Sequence, residues 1–214
     1  MSTFRCLAAV SCLFAIVLSA GCSSQSTWIE PPSVDAATSA AKAIELYDTD
    51  GDGKLNEAEL EKAPGLKAAA KMVDLDNDGL VSENEIAERI LNWQATKAGL
   101  MSFPCTVTLN GQPLEGATVT FEPESFLGDS MQTAVTLTSP DGMGSPSIPK
   151  ENRPSPQTPS GLQLGFYRVQ VSKILNGKET IPAKYNTETI LGQQATGDDP
   201  AVLGRRIRFD LKSP

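Results

Sequence analysis

The chain has 214 residues, with 26 acidic and 18 basic side chains, a formal net charge of −8, four cysteines and no histidine. This acidic balance argues against nucleic acid as a partner and against attraction to anionic lipid headgroups. The lack of histidine removes histidine-based triads, histidine zinc sites and the commonest general base. There is also no Gly-x-Ser-x-Gly elbow and no phosphate-cradling glycine loop ending in Lys-Ser or Lys-Thr, so no enzyme is expected.

The chain opens with Arg5 followed by an apolar run from Cys6 to Ala20 and the small residues before Cys22, the pattern of a secretory signal over residues 1–21. The run is shorter than the roughly 20 apolar residues that a membrane-spanning helix needs. Leu18-Ser19-Ala20-Gly21-Cys22 resembles the bacterial lipobox. That resemblance implies a diacylglycerol on the Cys22 sulfur, a mature N-terminus at Cys22, and attachment to the membrane through this lipid. By the rule learned from enterobacteria, Ser23 then directs the protein to the outer rather than the inner membrane of the cell envelope. Cys6 and Cys12 leave with the signal, so Cys105 is the one thiol left and no intramolecular disulfide is available. Residues 22–33, polar and closed by Pro31-Pro32, read as a tether.

From Asp48 to Glu85 one acidic pattern appears twice. The first copy is Asp48-Thr49-Asp50-Gly51-Asp52-Gly53-Lys54-Leu55-Asn56-Glu57-Ala58-Glu59, and the second is Asp74-Leu75-Asp76-Asn77-Asp78-Gly79-Leu80-Val81-Ser82-Glu83-Asn84-Glu85. Both resemble the EF-hand calcium loop, which needs oxygen ligands at its first, third, fifth and last positions, a backbone carbonyl at the seventh and glycine at the sixth. The resemblance implies two Ca2+ sites. One uses Asp48, Asp50, Asp52, Glu59 and the Lys54 carbonyl around Gly53; the other uses Asp74, Asp76, Asp78, Glu85 and the Leu80 carbonyl around Gly79. The ninth positions, often acting through water, are Asn56 and Ser82.

Ala40, Ala43, Ile44 and Tyr47 before the first loop, Leu66, Ala69, Ala70 and Val73 before the second, and Ile86, Ile90 and Trp93 after it recur at helical spacing, as core-facing stripes do. Leu55 and Val81 hold the eighth positions, where the resemblance implies a short pairing between loops. Pro64-Gly65 lies within residues 60–73, which separate the loops. A helix does not run through it, so the first exiting and second entering helices are expected to be about two turns each. This is a compact, structural module more than a sensor, whose long helices open a groove.

From Ser102 the period changes to alternation. Cys105, Val107 and Leu109 share a face and lead to Asn110-Gly111, a hairpin signal; Ala117, Val119 and Phe121, Val135 with Leu137, Tyr167 with Val169 and Val171, and Ile207 with Phe209 and Leu211 repeat the pattern. Gly111-Gln112-Pro113-Leu114-Glu115-Gly116, Gly165-Phe166-Tyr167-Arg168-Val169, Ile181-Pro182-Ala183-Lys184-Tyr185-Asn186 and Ile207-Arg208-Phe209-Asp210-Leu211 resemble the carboxypeptidase regulatory-like, transthyretin-like β-sandwich of planctomycete-type bacterial lipoproteins. The resemblance implies a small binding or packing module. The proline-rich stretch 139–164 departs from that family and is expected to be an exposed, mobile loop.

The expected fold is thus a multidomain α+β chain: an all-α EF-hand pair over 34–98, then an antiparallel Greek-key β-sandwich over 102–214 that folds alone. The expected role is structural or adhesive in the cell envelope, toward an unidentified envelope protein or polysaccharide. The alternatives are a calcium-dependent docking module of an extracellular assembly and an accessory subunit of an envelope enzyme.

Overall fold

The computed structural model describes residues 29–213, apart from residues 154, 156 and 206. The signal segment and Cys22 lie outside the described residues. The helical half contains α1 (Ala36–Tyr47), β1 (Lys54–Leu55), α2 (Glu57–Leu60), α3 (Pro64–Val73), β2 (Val81–Ser82) and α4 (Glu83–Ala95). The strands that follow are β3 (Cys105–Leu109), β4 (Gln112–Pro113), β5 (Thr118–Pro123), β6 (Ala134–Leu137), β7 (Met143–Gly144), β8 (Gly165–Ser172), β9 (Ile174–Leu175), β10 (Lys178–Glu179), β11 (Gly192–Ala195) and β12 (Arg208–Leu211), with a one-turn α5 (Pro200–Leu203) before the last. The chain is α+β, as its sequence pattern indicates. No helix among the described residues is long and apolar enough to cross a membrane.

Asp35 starts α1 by accepting the Thr38 N–H at 2.7 Å, which satisfies one of the free first-turn donors. The Pro64-Gly65 pair starts a helix rather than interrupting one. Pro64 stands in the first turn of α3, where its missing N–H costs nothing, so α3 runs ten residues and only α2 is short, at four. This corrects the expectation of two turns for each.

One sheet has the order β11-β8-β5-β6 with every pair antiparallel; the other joins β12, β3, β4 and β7. Asn110 and Gly111 turn β3 into β4 with both φ positive, 53° and 80°, the two-residue turn that the pair signals. β12 lies parallel to β3, a departure from the all-antiparallel expectation, and takes the edge of β3 that β4 and β7 leave free. The sheets face each other through Phe121 of β5 and Phe209 of β12, whose ring centroids are 6.0 Å apart. In β6 the expected faces are reversed: Ala134 is buried, whereas Val135 and Leu137 are 36% and 66% exposed. β6 is an edge strand, and a small alanine fits where it meets the core. Stretch 139–164 is not an open loop either. Its β7 pairs with β3, Ile148 and Leu162 are buried, and the Arg153 guanidinium donates to the carbonyls of Ile148 and Thr158 and to Ser147 Oγ. Arginine thus supplies donors where proline removes them.

The junction near residues 98–102 does not separate two cores. Trp93 of α4 packs edge-on against Phe166 of β8 at 4.5 Å, and Tyr47 of α1 meets Phe126 at 6.3 Å. Phe166 and Tyr167 point to opposite faces of β8, yet both are fully buried, since helices cover one face and the second sheet the other. Arg89 of α4, itself buried, donates to both carboxylate oxygens of Asp198 at 2.7 and 2.8 Å and to Gln194 and Thr196. The last described part of the tether is packed as well, since a Cβ on Gly99 would meet the Ile29 carbonyl oxygen at 2.2 Å.

α3 comes nearest of all to the sheet. A Cβ on Gly65 would lie 2.6 Å from the Tyr167 nitrogen, and one on Gly192 would lie 1.7 Å from the Pro64 oxygen. Here glycine is required by space. Gly192→Ala is expected to force α3 off β11, lowering stability by about 3 kcal/mol and Tm by ~6–12 °C, while Gly197→Ala, whose Cβ meets nothing within 4 Å, leaves Tm unchanged. Thermal unfolding followed by circular dichroism checks both.

At the same seam Glu124, 1% exposed, accepts the Gly65 N–H at 2.7 Å and the Tyr47 hydroxyl at 3.4 Å. Burial pushes its carboxyl up to about 7, the Gly65 N–H and nearby Arg168 pull it down, and Glu122 repels it. Because the folded pKa lies above the unfolded value, the stabilisation is complete below about pH 4.5 and is lost as pH rises through about 7. Tm should therefore fall by several degrees between pH 5 and 8, and Glu124→Gln should flatten that slope. With no histidine in the chain, the usual group titrating in this window is missing. An unchanged slope in Glu124→Gln would show that the ionisation lies elsewhere.

Candidate metal centre

Each acidic loop begins where a helix ends and ends where another begins. Asp48 caps the C-terminus of α1, its N–H reaching the Ile44 carbonyl at 2.9 Å, and Asp74 caps α3 in the same way through Ala70 at 2.8 Å. At the far ends Asn56 and Ser82 cap α2 and α4. Each forms a capping box in which Glu59 or Glu85 returns a bond to the cap's own N–H. The ninth and twelfth loop residues thus have a helical duty of their own.

Between the caps, the carboxylates hold the loop backbone. Asp48 accepts the N–H groups of Gly51 and Gly53 at 2.7 and 2.9 Å, and Asp74 accepts those of Asp78 and Gly79 at 3.2 and 3.1 Å. Gly53 and Gly79 take φ of 83° and 84° with open space around each Cβ position, so conformation alone requires glycine there. β1 and β2 pair with Leu55 opposite Val81 and Lys54 opposite Ser82, placing the loops side by side.

Asp48, Asp50 and Asp52 each offer an oxygen, and the three lie within 4.8 Å of one another; Asp74, Asp76 and Asp78 do the same. Two oxygens on opposite sides of an ion with bonds of about 2.3–2.6 Å are at most ~5 Å apart, so both clusters fit a hard divalent cation. The donors are all oxygen, without imidazole or thiolate, which suits calcium over zinc or copper. Glu59 and Glu85 are buried beside these clusters and do not join them. Glu59 accepts from the Asn56 and Thr49 N–H groups at 2.9 and 2.6 Å, and these donors, Asn56 foremost, hold its carboxyl at about 2. Glu85 accepts the Leu75 and Ser82 N–H groups at 2.8 Å each.

One polar group is placed where the sequence did not lead. Lys54, read for its carbonyl, sends its ammonium to Asp78 Oδ2 of the other loop at 2.5 Å. The register that pairs Lys54 with Ser82 is the signal that could have located it. Cys105 is buried, and burial pushes its thiol up to about 12, as for a small apolar core residue.

The EF hand family model matches residues 41–63, which contain the first loop and its flanks. No curated protein and no solved structure matches the chain. The family match and the two aspartate clusters together support calcium binding by an EF-hand.

Proposed function

We propose that this is a lipid-anchored, calcium-binding protein of the cell envelope with a structural or adhesive rather than catalytic role, and that it holds two calcium ions. The observation that carries the calcium reading is the convergence of three carboxylates in each loop, the first loop lying within the segment that matches the EF hand. Lys54 and Leu80 would add their carbonyls. Glu59 and Glu85, whose carboxylates stand beside the clusters, would complete each shell. Bound calcium would supply charge cancellation and the oxygen bonds that close both loops.

A structural role is favoured over sensing because α3 is pressed against β8 and β11 at Gly65 and Gly192, where opening the helices would tear the core. The sheets are assigned to the transthyretin-like, carboxypeptidase regulatory-like class on their sequence motifs. The partner in this reading is an unidentified envelope protein or polysaccharide.

Calorimetry should find two sites per chain with dissociation constants of roughly 10⁻⁵ to 10⁻⁴ M, and magnesium much weaker. Two-millimolar calcium would then stabilise the fold by about 2–3 kcal/mol per site and raise the Tm of the whole chain in one transition. Glu59→Gln combined with Glu85→Gln should abolish both effects. Full binding by that double variant, or no binding by the wild type at several millimolar calcium, sinks the reading.

The anchor has its own test, motivated by Leu18–Cys22. Metabolic labelling with a fatty-acid probe should mark the wild type and not Cys22→Ser; equal absence of label in both removes the lipid from the proposal.

A further inference from the structure

We propose that the Lys54 side chain is a tethered cation that weakens calcium binding at the second loop, so that the two sites are unequal and the first loop fills first. The inference rests on the calcium reading above.

Lys54 stands at the seventh position of the first loop, and strand pairing sets it opposite Ser82, so its stem crosses to the neighbouring loop. There its ammonium bonds Asp78 Oδ2 at 2.5 Å, on one of the three carboxylates that converge in the second cluster. The relation is one-sided. The seventh residue of the second loop is Leu80, which carries no charge, and among the described residues no lysine or arginine pairs with Asp48, Asp50 or Asp52.

In the metal-free protein Lys54 offsets part of the repulsion among Asp74, Asp76 and Asp78. A divalent ion entering that cluster must displace the ammonium from Asp78 or bind with it nearby, and either lowers its affinity. The first cluster faces no such competitor. Both partners are about one-third exposed, so water screens the pair and the expected effect is modest, about three- to tenfold in affinity. Lys54 also belongs to the backbone of the first loop, so the competitor of one site is held by the chain that encloses the other.

The amides of Gly53 and Gly79 report the two loops separately in two-dimensional spectra of the full chain in zwitterionic detergent, titrated with calcium. In the wild type, Gly53 should reach saturation at lower calcium than Gly79. Lys54→Met should lower the Gly79 midpoint three- to tenfold relative to the Gly53 midpoint of the same protein; Lys54→Arg should keep the wild-type order. Equal midpoints in the wild type, or a Gly79 midpoint unmoved relative to that of Gly53 by Lys54→Met, overturns the inference while calcium binding stands. If neither glycine responds in any variant, the calcium reading itself fails and takes this inference with it.

Discussion

The structure depends on the close approach of α3 to the first sheet. The start of α3 lies so near β8 and β11 that both facing positions must be glycine, Gly65 on the helix and Gly192 on the strand. From that contact the helix runs directly to Asp74, the first residue of the second acidic loop. Glu124 ties the same seam to α1 through Tyr47, the residue before Asp48. Both loops therefore hang from one buried line between helices and sheet, and their geometry is referred to the sheet rather than to each other alone. A buried carboxyl is a costly way to make this tie, acceptable because its neutral form can persist near pH 7.

Much of the helical half was legible in the sequence because calcium chemistry fixes spacing. Oxygen donors at alternate positions, glycine at the sixth and a capping residue at the ninth leave few ways to place a chain, and the Leu55–Val81 pairing followed. What the sequence hid was the relation between the halves. Gly65 reads equally well as a helix breaker and as a close-packing residue, and only a neighbour 102 positions away, the backbone of Tyr167, decides between them. Glu124 sits just past a strand with polar outward residues, so nothing local marks it as buried. One signal was available. Gly165, Phe166 and Tyr167 are consecutive and all apolar, the mark of a strand covered on both faces, whereas alternation in Tyr167, Val169 and Val171 suggested one covered face. In β6 the alternation held but its phase did not, because a buried alanine weighs less in a pattern than an exposed leucine.

The loop backbones are held in place by the chain's own side chains. Asp48 and Asp74 each hold two backbone amides, and Glu59 and Glu85 close capping boxes at the far ends. A binding site whose backbone is already set loses less conformational freedom when it is filled. Glu59 and Glu85 hold backbone amides as Asp48 and Asp74 do, and a carboxylate with about four acceptor sites can keep such a bond while offering an oxygen to a cation.

The apolar face of α4 has a consequence for how such a chain can be rearranged. Ile86, Ile90 and Trp93 are buried in the common core, with Trp93 seated on Phe166. The calcium-loop segment is therefore not a cassette. Moved into another protein, it would carry an indole and two aliphatic side chains into water, and the strands left behind would expose the ring they covered. A nick in the connection between α4 and β3, by contrast, would cut the chain without separating its parts, which would remain together as a complex of two fragments.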